Sequence, residues 1–101
     1  MDNIRKMAKE MREELSDAER YAWRAAQVKE QDPALFSLYY RLAGEELGHM
    51  ELLRAAASEH VNACIRSGHA DAEKVAAVWE WEQSFASEKA AEVRALLATI
   101  K

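Results

Sequence analysis

A glutamate and a histidine three residues apart, Glu46 and His49, interrupt a run of apolar positions in this 101-residue chain. The run reads Leu35, Tyr39, Leu42, Glu46, His49, Leu53, Ala56, His60, in steps of four and three, the spacing of one helix face. Residues i and i+3 lie one turn apart on that face, so both side chains can converge on one point. Burying a polar group without a partner costs roughly 2–7 kcal/mol, and an unpaired charge more. An acid in such a stripe therefore calls for a partner, and a cation supplies one. Carboxylate oxygen with imidazole nitrogen suits iron or manganese and also accepts zinc. The other reading is a Glu–His hydrogen-bonded pair that only fixes helix register.

A facing stripe carries a further acid. Met7, Met11, Glu14, Ala18, Tyr21, Ala25 and Val28 repeat at the same spacing, with Leu15 and Ala22 widening the row. Glu14 falls on the flank of that face. Glu-x-x-His with a Glu from a facing helix is the ligand unit of carboxylate-bridged di-iron bundles. The candidate metal ligands are therefore Glu14, Glu46 and His49.

A third apolar face, Val75, Val78, Trp79, Phe85, Ala86, Val93, Leu96, Leu97 and Ile100, has Glu82 near its centre and Lys89 close by. Glu82 either joins the site or pairs with Lys89. His60 shares a face with His49 but lies roughly 16 Å along the helix, too far for the same ion. It reads as a core histidine. Gly44 and Gly48 read as places where another helix approaches closely, Trp23, Trp79 and Trp81 as core or interface anchors, and Arg12, Arg24, Glu30 and Arg54 as solvated surface.

These stripes need helices to carry them. Alanine, leucine, glutamate, lysine and arginine dominate, nothing alternates with period two, and the chain has three Gly and one Pro. The pattern predicts an all-α chain with helices over about 3–30, 33–67 and 71–100. Asp2 or Asn3 caps the first, Asp32 caps the second with Pro33 as its first residue, Ser67-Gly68 ends it, and Asp71 caps the third. The short Asp32-Pro33 connection makes the first two helices an antiparallel hairpin, within a single domain spanning 1–101.

Half the residues are hydrophobic, but twenty of them are alanine, so large core side chains are few and self-association is the natural way to enlarge the core. A net charge of −4 with both signs interspersed marks no nucleic-acid surface. The acidic balance also argues against a basic amphipathic membrane-surface helix. No run approaches transmembrane length, and Met1 to Met7 lacks a signal-peptide core. Cys64 is the only cysteine, which excludes an intramolecular disulfide and a Cys-rich metal site. The expected setting is cytoplasmic, free or inside a protein shell.

Three segments, Glu14 to Tyr21, Lys29 to Leu35, and Leu42-Ala-Gly-Glu-Glu-Leu-Gly-His49 to Leu53, together resemble the first half of a rubrerythrin-type ferritin-like domain, over residues 11–55. The chain is also similar to short rubrerythrin-like proteins of bacteria and phages. In that family a helix-one Glu precedes an aromatic by seven residues, here Glu14 and Tyr21. An ungapped alignment instead places Ser16 at the ligand position, and Glu19 is the alternative acid one turn on. The resemblance implies iron, with manganese or zinc as substitutes, and oxidation of ferrous iron for iron handling or peroxide removal. It implies Glu46 as the bridging ligand, Glu14 and His49 as terminal ligands, and Tyr21 beside the centre. The third helix lacks a second Glu-x-x-His. Resemblance to half-ferritins of the encapsulated type implies a homodimer, or a higher homo-oligomer, pooling two ligand sets into a half-bundle completed by its partner. Without a Cys-x-x-Cys pair there is no rubredoxin module. The rival expectation is a helical structural or interaction protein with at most a structural metal.

Overall fold

A computed structural model describes residues 2–101. Three helices account for nearly all of them: α1 (Asp2–Val28), α2 (Pro33–Arg66) and α3 (Ala72–Ile100). No strand occurs among the described residues. The molecule is a rod of 56 × 17 × 16 Å, its length set by helices of 27, 34 and 29 residues rising about 1.5 Å each.

The two connections form as the residues dictate. The Asp32 side chain accepts from the Leu35 amide at 3.1 Å, and Pro33 opens α2, where its missing N–H costs nothing. At the other end the Ser67 amide donates to the Ala63 carbonyl at 3.0 Å. Gly68 then takes φ +69°, a left-handed conformation that suits glycine and stops the helix. Two expected caps differ. Asp2 is already helical, so it is not the cap of α1. Asp71 precedes α3 but makes no side-chain cap, and its amide instead donates to His69 Nδ1 at 3.1 Å.

Helix directions follow from the side-chain pairs between them. Tyr21 stacks on Tyr39, and Glu14 meets Glu46 and His49, so α1 and α2 are antiparallel. Arg54 reaches Ser87, and Arg94 reaches Glu51, so α2 and α3 are antiparallel as well. Arg12 meets Glu82, and Lys89 meets Glu19, which leaves α1 and α3 parallel.

The core row of α2 is turned by one residue from that expected, while α1 and α3 bury most of the positions expected of them. In α1 the buried positions are Ile4, Ala8, Met11, Leu15, Ala18, Ala22 and Ala25. In α2 they are Ala43, Leu47, Met50, Ala57 and Val61. Leu35, Leu42, Glu46 and His49 flank that row instead of forming it. α3 contributes Val75, Trp79, Ala86, Ala90, Val93 and Leu97, while Phe85, expected in the core, is exposed. Alanine explains the shift. Its small side chain lets helix backbones close on one another, and bulkier leucines are displaced to the rim. Trp79 is in the core, whereas Trp23 and Trp81 are exposed. His60 is half-buried at its edge.

Candidate metal centre

Glu14, Glu46 and His49 come together where α1 and α2 meet. Each offers one ligand atom, and those atoms all lie within 4.8 Å of one another. His49 Nδ1 is 3.4 Å from Glu14 Oε2 and 3.8 Å from Glu46 Oε1. No other group of three such side chains occurs among the described residues.

The cluster lies at the rim of the hairpin, on the side away from α3. Arg12 and Glu14 are two residues apart, about 200° of helical rotation, and Arg12 points to α3. The same holds on α2, where Glu51 meets Arg94 of α3 and His49 faces the other way. Exposure grades accordingly. The side chains of Glu46 and Glu14 are 19% and 28% exposed, and that of His49 is 55% exposed. The acids thus stand half-buried beside the apolar row rather than at its centre, with His49 as the open side.

Two features make this a centre of unresolved charge. Glu14 Oε2 is buried and has no hydrogen-bond partner, the one such side-chain atom among the described residues. A shared proton with Glu14, partial burial and repulsion from the Glu14 charge push the Glu46 carboxyl up from 4.5 to about 7, against an opposing pull from His49. Glu46 thus keeps its proton closer to neutral pH than an ordinary carboxyl, which lowers the repulsion between the two acids. A bound cation can take over that role.

The donor set fits a metal. Atoms bound to one ion at about 2.0–2.2 Å can be no more than about 4.4 Å apart, so a contraction of a few tenths of an ångström closes the set. Two carboxylates and one imidazole suit iron, manganese or zinc. One chain leaves coordination positions open, and the exposed edge of His49 marks where they face.

The other acids proposed from the sequence are engaged elsewhere. Glu19 accepts from Lys89 at 2.6 Å, toward α3, so it does not belong to the cluster. Ser16 is exposed. Glu82 pairs with Arg12 rather than with Lys89. Lys89 is held protonated by Glu19, against some desolvation, with Glu92 adding at 3.7 Å. Arg54 is not free surface either. It chelates Glu51 and donates to Ser87, tying α2 to α3.

Two turns from the cluster, Tyr21 and Tyr39 stack with ring centroids 6.1 Å apart and planes at 24°. Arg20 lies over the first ring and Arg24 over the second, and Arg24 donates to the Tyr39 hydroxyl at 3.2 Å. Tyr39 was legible as an apolar-stripe residue, but its pairing with Tyr21 needed the hairpin register. Around Gly44 and Gly48 the space where a Cβ would stand is open to 4 Å, so no helix of this chain makes the close approach expected there.

No described helix is long and apolar enough to cross a membrane. Comparison with known protein families, with curated proteins and with solved structures finds no match to this chain.

Proposed function

We propose that this chain is a ferritin-like half-bundle whose homodimer assembles a di-iron centre, with manganese or zinc as substitutes, for oxidation of ferrous iron in iron handling or peroxide removal. The observation that carries the reading is the convergence of Glu14, Glu46 and His49 from two helices around a partnerless carboxylate oxygen. In this reading Glu46 would be the shared ligand, because it is the least exposed of the three and its carboxyl is the one that its neighbours push up. Glu14 and His49 each hold one ion.

Iron bound there supplies one-electron chemistry toward oxygen or peroxide. The residues of the chain set the conditions for it. Glu14 and Glu46 bring negative charge that favours a cation over water. The α1–α2 contact fixes their spacing, since both stand directly beside fully buried Leu15 and Ala43/Leu47 positions. Loss of the proton shared by the two acids accompanies metal entry. Tyr21 and Tyr39 stand along the same face as a polarisable pair.

Addition of ferrous iron to metal-free protein, with dissolved oxygen followed at an electrode, tests the activity. Wild-type protein consumes oxygen faster than the buffer does, and Glu46→Ala protein does not. Equal rates for both proteins and buffer exclude the oxidase reading.

A second reading, a helical interaction protein with at most a structural metal, is favoured by one observation. Trp23, Ile65 and Trp81 are more than half exposed and offer apolar contact surface. A metal that binds tightly and never turns over selects this reading.

A further inference from the structure

Two turns along the hairpin from the cluster, about 10 Å by helical rise, Arg20, Tyr21, Arg24 and Tyr39 line an open cavity of about 250 Å³. Its lining is one-sided. The two guanidiniums and two phenol groups all donate hydrogen bonds, and no carboxylate lines the cavity. Such a concentration of positive charge runs against the chain as a whole, whose net charge is −4. Arg20 and Arg24 also stand at i and i+4 on α1, where like charges repel.

Both cations are seated on aromatic rings. The guanidinium carbon of Arg20 is 5.0 Å from the centroid of the Tyr21 ring, and that of Arg24 is 5.1 Å from the centroid of Tyr39. The two rings stack on each other in turn, so the four side chains brace one another. A guanidinium lying over a ring still carries its N–H groups at its edge, in the fork that grips phosphate oxygens in pairs. Little of that edge is occupied. Arg24 donates to the Tyr39 hydroxyl at 3.2 Å, which leaves the Tyr39 O–H free to donate onward. Arg20 donates to Asp17 at 3.1 Å, in an exposed ion pair of the kind that contributes little. Arg24 has no acid within ion-pair reach among the described residues, its contacts being with Tyr39.

We propose that this pocket binds a phosphate-type oxyanion, either free phosphate or the head of a small phosphate monoester. A ligand rich in acceptor oxygens matches a lining made of donors, and its charge relieves the repulsion between Arg20 and Arg24. A carboxylate offers fewer oxygens and leaves part of the lining unmatched. The rings are already engaged with each other and with the cations, so the pocket selects for the anion rather than for an aromatic group. Its volume sets the size of the ligand. At about 250 Å³ it falls below the roughly 300–1,000 Å³ of pockets for drug-sized molecules, and so takes a small ion or ester. The site does not rest on the function proposed above, since none of its residues belongs to the Glu14–Glu46–His49 cluster.

Inorganic phosphate is titrated into the full chain in exchange for chloride at constant ionic strength, and the arginine side-chain Nε–H signals are followed by NMR. The Arg20 and Arg24 signals should move together and saturate, while those of Arg5 and Arg66, elsewhere on the rod, stay in place. Arg24→Gln should weaken phosphate binding by about tenfold or more. Arg24→Lys, which keeps the charge and loses the fork, should weaken it severalfold. Arg24 is exposed, so both variants should keep the helix content of the wild type. Methyl phosphate separates the two sources: binding as tight as that of phosphate assigns the pocket to an ester head, and binding of phosphate alone assigns it to the free ion. Shifts that stay linear with concentration, that acetate reproduces, or that survive in Arg24→Gln overturn the site. Glu46→Ala protein should bind phosphate as the wild type does. Loss of phosphate binding in that variant places the anion on a metal in the cluster and overturns the pocket.

Discussion

His49 Nδ1 stands 3.4 Å from Glu14 Oε2, a buried oxygen with no hydrogen-bond partner among the described residues. The contact crosses from α2 to α1 and joins the one exposed member of the cluster to its most isolated atom. An ion between the two residues answers both needs.

The Glu46 carboxyl, pushed up to about 7, makes the metal-free fold sensitive to pH. The folded state holds this proton more tightly than the unfolded chain does. Its contribution to stability is therefore full below pH 4.5 and is lost as pH rises through about 7. Glu46→Gln removes that loss. Between pH 5 and pH 8 the midpoint of urea unfolding should fall less for the variant than for metal-free wild type, by on the order of 1 kcal/mol in stability. Equal slopes refute the shared proton.

Metal uptake has the opposite dependence. The entering cation displaces the proton shared by Glu46 and Glu14, so affinity should rise by about tenfold per pH unit below 7 and level off above it. Titration of manganese into metal-free protein at pH 6, 7 and 8, followed by calorimetry in two buffers, gives both the slope and the proton released. A pH-independent affinity contradicts this exchange.

Glu51 anchors the opposite side of α2. Burial opposes its charge, but hydrogen bonds from Arg54 and Arg94 outweigh that and hold its carboxyl below 4.5. Its stabilising share is present above 4.5 and is lost as pH falls through the lowered folded value. Glu51→Ala should cost about 1 kcal/mol at pH 7, the site being partly open to solvent, and much less at pH 3. Chemical unfolding at the two pH values decides it, and bound metal should be unaffected.

Gly44 and Gly48 sit inside α2 with room for a side chain, and neither has a left-handed backbone. Replacing either by alanine should raise stability by about 1 kcal/mol. A loss on thermal unfolding would mean that something packs on this face after all.

Much of this was legible in the residues, and the failures share a cause. Asp32-Pro33 and Ser67-Gly68 marked the ends of α2 because capping and the left-handed turn are local chemistry. Glu14, Glu46 and His49 were legible as a group because one-turn spacing and a hairpin of fixed register bring them together. The burial of the site was misjudged. In an alanine-rich helix two adjacent rows read equally well as the core, and packing chose the row of Ala43, Leu47 and Met50. That choice moved Glu46 and His49 to the rim and exposed Leu38 and Leu52. The partners of Glu82 and Lys89 were out of reach for a different reason. Their closest partners, Arg12 and Glu19, belong to α1, and their identity depends on where α3 lies across the hairpin, which no spacing within α3 encodes. Arg54 likewise reads as surface from its spacing alone, because its contact with Ser87 exists only once α3 is in place.

Elemental analysis of the purified protein, grown in turn with excess iron, manganese and zinc, tests the central claim most directly. The account predicts about one metal ion per chain in wild type from at least one of these growths, and almost none in Glu46→Ala protein of unchanged helix content. Wild-type protein free of metal under all three conditions, or a Glu46→Ala variant that keeps its ion, contradicts it.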